Sequence, residues 1–401
     1  MKALLMYRDR DFDLEQEPPP GAQDLVQDLE LEVLFKAMAG GDPFLLEVAW
    51  RAVLAILTDV PAVLYRQDIL RDCISNAAIV RKLYSLAVET IDRERKNYWS
   101  VHSRNPGYLL HRSVEVLSMF VEVLRSLREV ANTQAGRFKS EGFTTLFAML
   151  RKELGDEYLA AIEAHLSRLK FRRGVLVSAW LGKGNMGVGH VLRKPNADER
   201  LWIQRVFSRG PAAYTFHIHE RDEGGARAVG ELRDRGISLV ANAVAQSSDH
   251  ILSFFRVLRT ELAFYVGCLN LYEKLLAKGE PTCFPVPSPC AERRYAVRGL
   301  YDVCLALKLG HKVVGNDGDG KELFFVAADG NMTAVTIKSG LSIEAGPPLT
   351  LFQTRIGEGS GNVAFQYDVT SDGGQFVLAT NYSAGSAPTL TVVVNWKDRP
   401  K

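Results

Sequence analysis

The sequence predicts a mainly α-helical, multidomain protein that ends in an all-β region. Three observations predict it. Apolar residues recur at helical spacing through most of residues 24–310. A short β-like insertion with clustered glycines interrupts them around residues 174–220. After about residue 315 the pattern changes to short β-favouring runs punctuated by Asp319-Gly320, Asp329-Gly330 and Asp372-Gly373. Asp-Gly is a turn dipeptide because both central positions of a tight hairpin turn need positive φ. The expected organisation is an N-terminal segment (1–24), a helical body (25–280), a linker (281–317) and a β tail (318–401).

The first helical signal is Asp42-Pro43, a capping carboxylate followed by proline at the first helical position. Leu45, Val48, Ala49, Ala52 and Ile56 follow on one stripe. Leu110, Val114, Leu117, Val121 and Leu124 alternate steps of four and three, a coiled-coil-like seam. The longest expected helix runs from about Ser238 to Lys278. Leu258, Leu262, Tyr265, Leu269, Tyr272 and Leu276 repeat that spacing, and only Gly267 interrupts it. About 40 residues of helix extend about 60 Å, which suits an arm or lever. Between the helical halves, 174–182 and 190–194 read as strands, and 212–220 and 235–243 as weaker signals of the same or mixed kind. In the tail, KELFFVAA, MTAVTIK, TLFQTR, FQYDVT, QFVLAT and TLTVVVNW read as strands.

Composition bounds the function. Lys+Arg 49 against Asp+Glu 47 leaves a net charge of +2, so contact with a polyanion needs a local basic patch. The 5 cysteines are scattered without a C-x-x-C, which argues against a disulfide framework or a cysteine zinc site. The charged start MKALLMYRDRDFD and the lack of a long apolar run make a cytoplasmic protein without a membrane partner the expectation.

Gly182, Gly184, Gly187 and Gly189 scan as G-x-G-x-x-G-x-G. A dinucleotide loop of that form opens a helix, whereas VGHVLRK reads as a strand. A kinase loop would need H-R-D and D-F-G motifs, which the sequence lacks. The glycines are therefore expected to form a hairpin turn. His217 and His219 could share a strand face, but no third ligand for a metal is identified. Arg168, Lys170, Arg172 and Arg173 form a cationic run able to touch phosphates, or a solvated helix end. No catalytic residue and no metal site is assigned.

Three segments, YRQDILRDC (65–73), AAIVRKLYSLAVE (77–89) and QSSDHILSFFRVLRTELAFYVGCLNLYEKL (246–275), resemble the core, lever and clamp of MutS-type DNA mismatch-repair ATPases that lack the mismatch-reading domain. GLYDVCLAL (299–307) and KVVGND (312–317) resemble the entrance to their ATPase domain. The resemblance covers about residues 1–317. It implies a homodimer that closes on duplex DNA, while Arg168, Lys170, Arg172 and Arg173 are candidate DNA contacts by the charge of their run. It also implies ATP and Mg as cofactors, with Val313, Val314 and Asn316 against the adenine. No G-x-x-x-x-G-K-[ST] occurs, so the implied ATP site is a remnant without its phosphate loop. Residues 319–401 resemble the closing blade of a TolB-like β-propeller. Two functions stand: a MutS-like DNA-binding protein, and a non-catalytic interaction protein or chimeric remnant.

Overall fold

The computed structural model describes residues 1–97, 105–172, 174–193, 217–219, 221–289, 292, 296–318, 322–327, 329–339, 343–354, 367–369, 375–378 and 393–394. The chain forms two compact units. The first comprises Met1–Glu17, Glu47–Ala52 and Tyr65–Leu269, and the second Pro18–Leu46, Val53–Leu64 and Asn270–Lys401.

Helices come first along the chain: α1 (Ala22–Asp28), α2 (Leu31–Ala39), α3 (Pro43–Leu54), α4 (Val60–Ser75), α5 (Ala77–Asn97), α6 (Pro106–Gln134), α7 (Glu141–Glu153) and α8 (Asp156–Leu169). A hairpin of β1 (Leu176–Leu181) and β2 (Gly187–Arg193) follows, and then α9 (Glu223–Ala277). The start of α3 is as the sequence predicts. Asp42 Oδ1 accepts from the Phe44 and Leu45 amides at 2.8 and 3.3 Å, satisfying donors that the first helical turn cannot pair internally. Leu45, Val48, Ala49 and Ala52 are buried, but the helix ends at Leu54 and Ile56 stands in solvent.

In the first unit α6 packs against α5, α7 and α8. All five positions of its predicted seam are buried. Phe120 of α6 meets Phe255 of α9 with ring centroids 5.7 Å apart. Phe138, Phe143 and Phe147 form a second aromatic cluster, with centroids 4.5 to 5.8 Å apart. Asp72 caps α7 from α4: its Oδ2 accepts from the Lys139 and Ser140 amides at 2.8 and 2.7 Å.

The long helix corrects the sequence reading at both ends. It has 55 residues and begins at Glu223, so residues 235–243, read as partly β-like, are helical. Ile237 and Ala241, one turn apart, are both fully buried, which is helical and not strand periodicity. At the other end Leu258, Leu262, Tyr265 and Leu269 are buried, yet Leu275 is buried in place of Leu276. The last turns present another face to α2. Asn270 Nδ2 and Lys274 Nζ donate to the Met38 and Ala37 carbonyls at 2.8 and 3.0 Å, capping the C-terminal end of α2.

Residues 1–12 of the first unit form no helix or strand, yet Ala3, Leu5, Met6 and Phe12 are buried. Side chains of α4 and α9 replace the missing backbone partners. Tyr65 donates to the Leu4 carbonyl at 2.6 Å, and Arg66 Nε to that of Met6 at 2.9 Å. Tyr265 donates to the Leu5 carbonyl at 2.5 Å. Glu261 accepts from the Leu5 and Phe12 amides at 2.6 and 2.8 Å. This accounting is what a buried irregular segment requires.

In the second unit, β3 (Val297–Leu300) pairs with β4 (Asn316–Gly318), and the short helix α10 (Val303–Lys308) lies between them in sequence and packs on α2. The predicted all-β region follows. β5 (Glu322–Val326) and β6 (Asn331–Ser339) form an antiparallel hairpin, joined to β7 (Ile343–Ala345) and β8 (Leu349–Gln353), which both pair with β6. A turn does form at Asp329-Gly330, but only Gly330 takes positive φ (76°), and Asp329 Oδ1 accepts from the Asn331 amide. β9 (Tyr367–Val369), β10 (Gln375–Leu378) and β11 (Val393–Val394) form a separate three-stranded sheet. The Phe376 ring lies against those of Phe324 and Phe352, each at 5.3 Å. Asp319-Gly320, Asp372-Gly373 and most of the 212–220 run lie outside the described residues.

Candidate functional site

Two regions hold the residues singled out from sequence. In the first unit, α8 ends on the cationic run. Arg168 occupies its last turn, Lys170 is the C-cap, and Arg168, Lys170 and Arg172 are exposed. Cations there sit favourably at the negative end of the helix dipole. Lys170 Nζ also pairs with Glu115 Oε1 at 3.1 Å. Arg173 lies outside the described residues.

The glycine run follows in the chain, and it forms the expected turn. Gly184 and Gly189 have φ 70° and 62°. Between them the chain passes into β2, whose register places Leu181 opposite Gly187 and Trp180 opposite Val188. A Cβ at Gly182 would lie 2.9 Å from Val188 Cγ1, so only glycine closes the turn this tightly. Leu176, Trp180, Val188 and Val191 share the outward face, and Trp180 is 74% exposed. The opposite face carries Val177, which lies against Gly236 of α9; a Cβ there would come within 2.4 Å of Val177 Cγ2. The glycine in the long helix is thus the seat of the hairpin.

In the second unit, a cavity of about 880 Å³ opens between the α1–α2 junction, the end of β3, α10 and residues 309–314. Its walls are mainly apolar and include Leu29, Leu31, Leu300, Leu305, Val313 and Val314, with Asp302, His311 and Lys312 as polar points. Two buried or bridging groups hold it. Glu280 Oε1 accepts from the Val313 amide at 2.8 Å, fixing one wall. Lys278 Nζ donates to the Ala306, Leu307 and Leu309 carbonyls at 2.9, 3.1 and 2.6 Å, closing the C-terminal end of α10. Asp302 Oδ1 caps the other end, accepting from the Leu305 amide at 3.0 Å. Burial, and then the Glu280 carboxylate, raise the Tyr301 phenol above its usual range, and burial raises the Cys304 thiol. Both are therefore neutral at physiological pH.

Val313 and Val314, singled out for an adenine contact, line this cavity. Asn316 begins β4 opposite Leu300 in register. The cationic run belongs to the first unit and the cavity to the second, so they do not form one site within either unit. Among the described residues no cluster of His, Cys, Asp and Glu could hold a metal ion. His217 and His219 are exposed, and His219 Nδ1 accepts from the Arg221 amide. Among the described residues no helix is long and apolar enough to cross a membrane.

Sequence reasoning missed Glu261, Lys278 and Glu280. A signal existed for Glu261. It lies three residues after Leu258 and four before Tyr265, which puts a carboxylate on the apolar stripe of the long helix.

A helical body with one very long helix, entered by way of an inserted β-hairpin, defines the class of protein. The profile of the MutS2 N-terminal domain matches residues 58–278, more than half of the chain. The chain belongs to the MutS2 N-terminal domain family. The match spans α4 to α9 in full, and it does not reach residues 300–314 of the cavity or the β region that follows. No curated protein and no solved structure matches the chain.

Proposed function

We propose that this protein binds duplex DNA as a MutS-like lever-and-clamp dimer of the repair or recombination type, without turning over ATP. The family match over the long helix and its hairpin carries this reading. A helix of 55 residues extends about 80 Å, long enough to reach around a duplex. Arg168, Lys170, Arg172 and Arg173 supply phosphate contacts, which give sequence-independent affinity. Val313, Val314 and Asn316 form the base-contacting wall of a nucleotide site. The absent G-x-x-x-x-G-K-[ST] removes the backbone nest and lysine that hold β- and γ-phosphates, and with them the usual place of Mg.

The second reading, a non-catalytic interaction protein or rearranged remnant, is favoured by the apolar cavity rim. Leu29 and Leu300 are about half exposed and Val314 is 76% exposed, which is more apolar surface than a finished wall usually shows.

The test is fluorescence anisotropy of a labelled duplex against the full chain at several salt concentrations, with ATP titrated in parallel. The DNA reading expects log affinity to fall linearly with log salt, and each removed phosphate contact to flatten the slope by about 1. Replacing Arg168, Lys170, Arg172 and Arg173 by Ala should show this. No binding at low salt would overturn it in favour of the second reading. Steady ATP turnover would overturn the remnant site.

A further inference from the structure

The β1–β2 hairpin presents an open sheet face within a stretch of uniform charge. Residues 164–193 hold Arg168, Lys170, Arg172, Arg173, Lys183 and Arg193 and no Asp or Glu, whereas the whole chain balances 49 basic against 47 acidic residues. Among the described residues only Lys170 of these cations has an ion-pair partner, Glu115. Lys183 is exposed in the turn, and Arg193 is exposed at the other end of the hairpin, where β2 finishes. The stretch therefore complements a partner that carries several negative charges.

The hairpin adds an aromatic ring to that charge. Side chains alternate across a strand, so the seating of Val177 on Gly236 of α9 turns Leu176, Ser178 and Trp180 to the opposite face. The register places Arg193 across from Leu176, Val191 across from Ser178 and Val188 across from Trp180. Arg193 Nε donates to Ser178 Oγ at 2.9 Å, which holds the guanidinium on this outward face. The register shifts between Ser178 and Trp180, and Gly189 lies in the shifted part of β2. A Cβ at Gly189 would lie 3.2 Å from Trp180 Cδ1, so the missing side chain makes room for the indole. The indole is nevertheless exposed, as are Leu176, Val188 and Val191.

An open indole between cations suits a flat ring that is carried on an anionic chain. An unpaired nucleotide has that chemistry: its base stacks on the indole and its backbone meets the cations. A base inside a duplex offers only its edges, because its faces are covered by its neighbours. The strands are six and seven residues long, so the cations at the two ends of the hairpin stand about 20 Å apart with Trp180 between them. A strand laid along the hairpin uses both ends, whereas a lipid surface is met by the tip alone.

We propose that the outward face of the β1–β2 hairpin is a stacking platform for unpaired bases of DNA, with Trp180 against a base and Lys183 and Arg193 on phosphates to either side. The inference rests on the DNA-binding reading and deepens it: the DNA held at this face has a single-stranded gap or end.

Three labelled DNAs decide it by fluorescence anisotropy against the full chain. One is a blunt duplex, one the same duplex with a short central gap, and one the gapped duplex with abasic sites across the gap. The gapped duplex should bind more tightly than both others, since the abasic strand keeps its phosphates but offers no ring. Trp180→Ala should weaken binding to the gapped duplex about 5- to 100-fold and leave the other two unchanged. Its salt slope should stay the same, because no phosphate contact is lost. Lys183→Ala and Arg193→Ala should each flatten that slope by about 0.7. Trp180→Phe should restore most of the lost affinity. Trp180 is exposed, so these substitutions leave the fold in place. Equal affinity for the three DNAs, or a Trp180→Ala protein that binds the gapped duplex as the unaltered one does, overturns this proposal and leaves the DNA-binding reading standing. Absence of binding to all three at low salt overturns both. If Trp180→Ala instead loses binding to phosphatidylglycerol vesicles and keeps its affinity for the gapped duplex, the proposal is overturned in favour of a membrane surface.

Discussion

Phe120 and Phe376 are both buried aromatic residues, but they are buried in different ways. Phe120 lies on a 29-residue helix whose inward stripe runs for many turns, and it meets Phe255 on a helix of 55 residues. Phe376 lies on a strand of four residues, its ring meets those of Phe324 and Phe352, and among the described residues the β region also buries Met332, Ala334 and Val335 of β6. The helical core is built along lines, so one residue is supported by neighbours before and after it on the same stripe. Among the described residues the β core draws on four short strands, β5, β6, β8 and β10, each adding one to three side chains. A helix pairs its own backbone, whereas a short strand depends on partners brought from elsewhere. The helical unit should therefore be stable as one cooperative body, and the β region should open by itself.

Four substitutions sharpen or break that comparison. The largest effect is expected from Phe120→Ala, about 3–5 kcal/mol of lost stability in chemical denaturation of the helical transition. Phe376→Ala should cost about 3 kcal/mol, but in a transition confined to the β region. A single shared transition moved equally by both would break the comparison. Gly315→Ala comes next. The new Cβ would lie 2.6 Å from the Gly299 carbonyl oxygen and 2.9 Å from its Cα, and backbone cannot step aside. The expected cost is about 1–3 kcal/mol, with loss of β3–β4 pairing in hydrogen exchange. Trp180→Ser, on the exposed face of the β1–β2 hairpin, should change stability by no more than about 0.5 kcal/mol. A larger loss in thermal unfolding would mean that the hairpin face is covered.

Much of the helical unit was legible from residue order. The α6 seam at Leu110, Val114, Leu117, Val121 and Leu124 is buried throughout, because a helix repeats its inward face every three to four residues. The glycines at 182–189 were legible as a turn for a similarly local reason: positive φ and close approach are properties of the residue itself. Residues 235–243 gave a mixed signal, with the helix expected only from about Ser238, because Ile237 and Val240 are β-favouring in isolation. Their place in a 55-residue helix is decided by burial of Ile237 and Ala241 and by the hairpin seated at Gly236. Leu276 was misplaced because α2 meets the end of α9 on another face, at Asn270 and Lys274. The cavity was legible only in part. Val313 and Val314 drew attention through a resemblance, whereas Glu280 and Lys278, which fasten its wall and floor, carry no local pattern.

By itself the sequence determined the order of elements along these residues: helices with readable stripes, a glycine-closed hairpin and an Asp-Gly punctuated β region. Each depends on a residue and its near neighbours, through helical period, turn conformation or the presence of a motif. Only the tertiary structure decided which polar groups are trapped inside. Glu261 lies in the same stripe as Leu258 and Tyr265, and nothing in its neighbourhood along the chain says that residues 5 and 12 will bring it their amides. Burial of a polar group is a property of what surrounds it in space, and that surrounding came from 256 and 249 residues away.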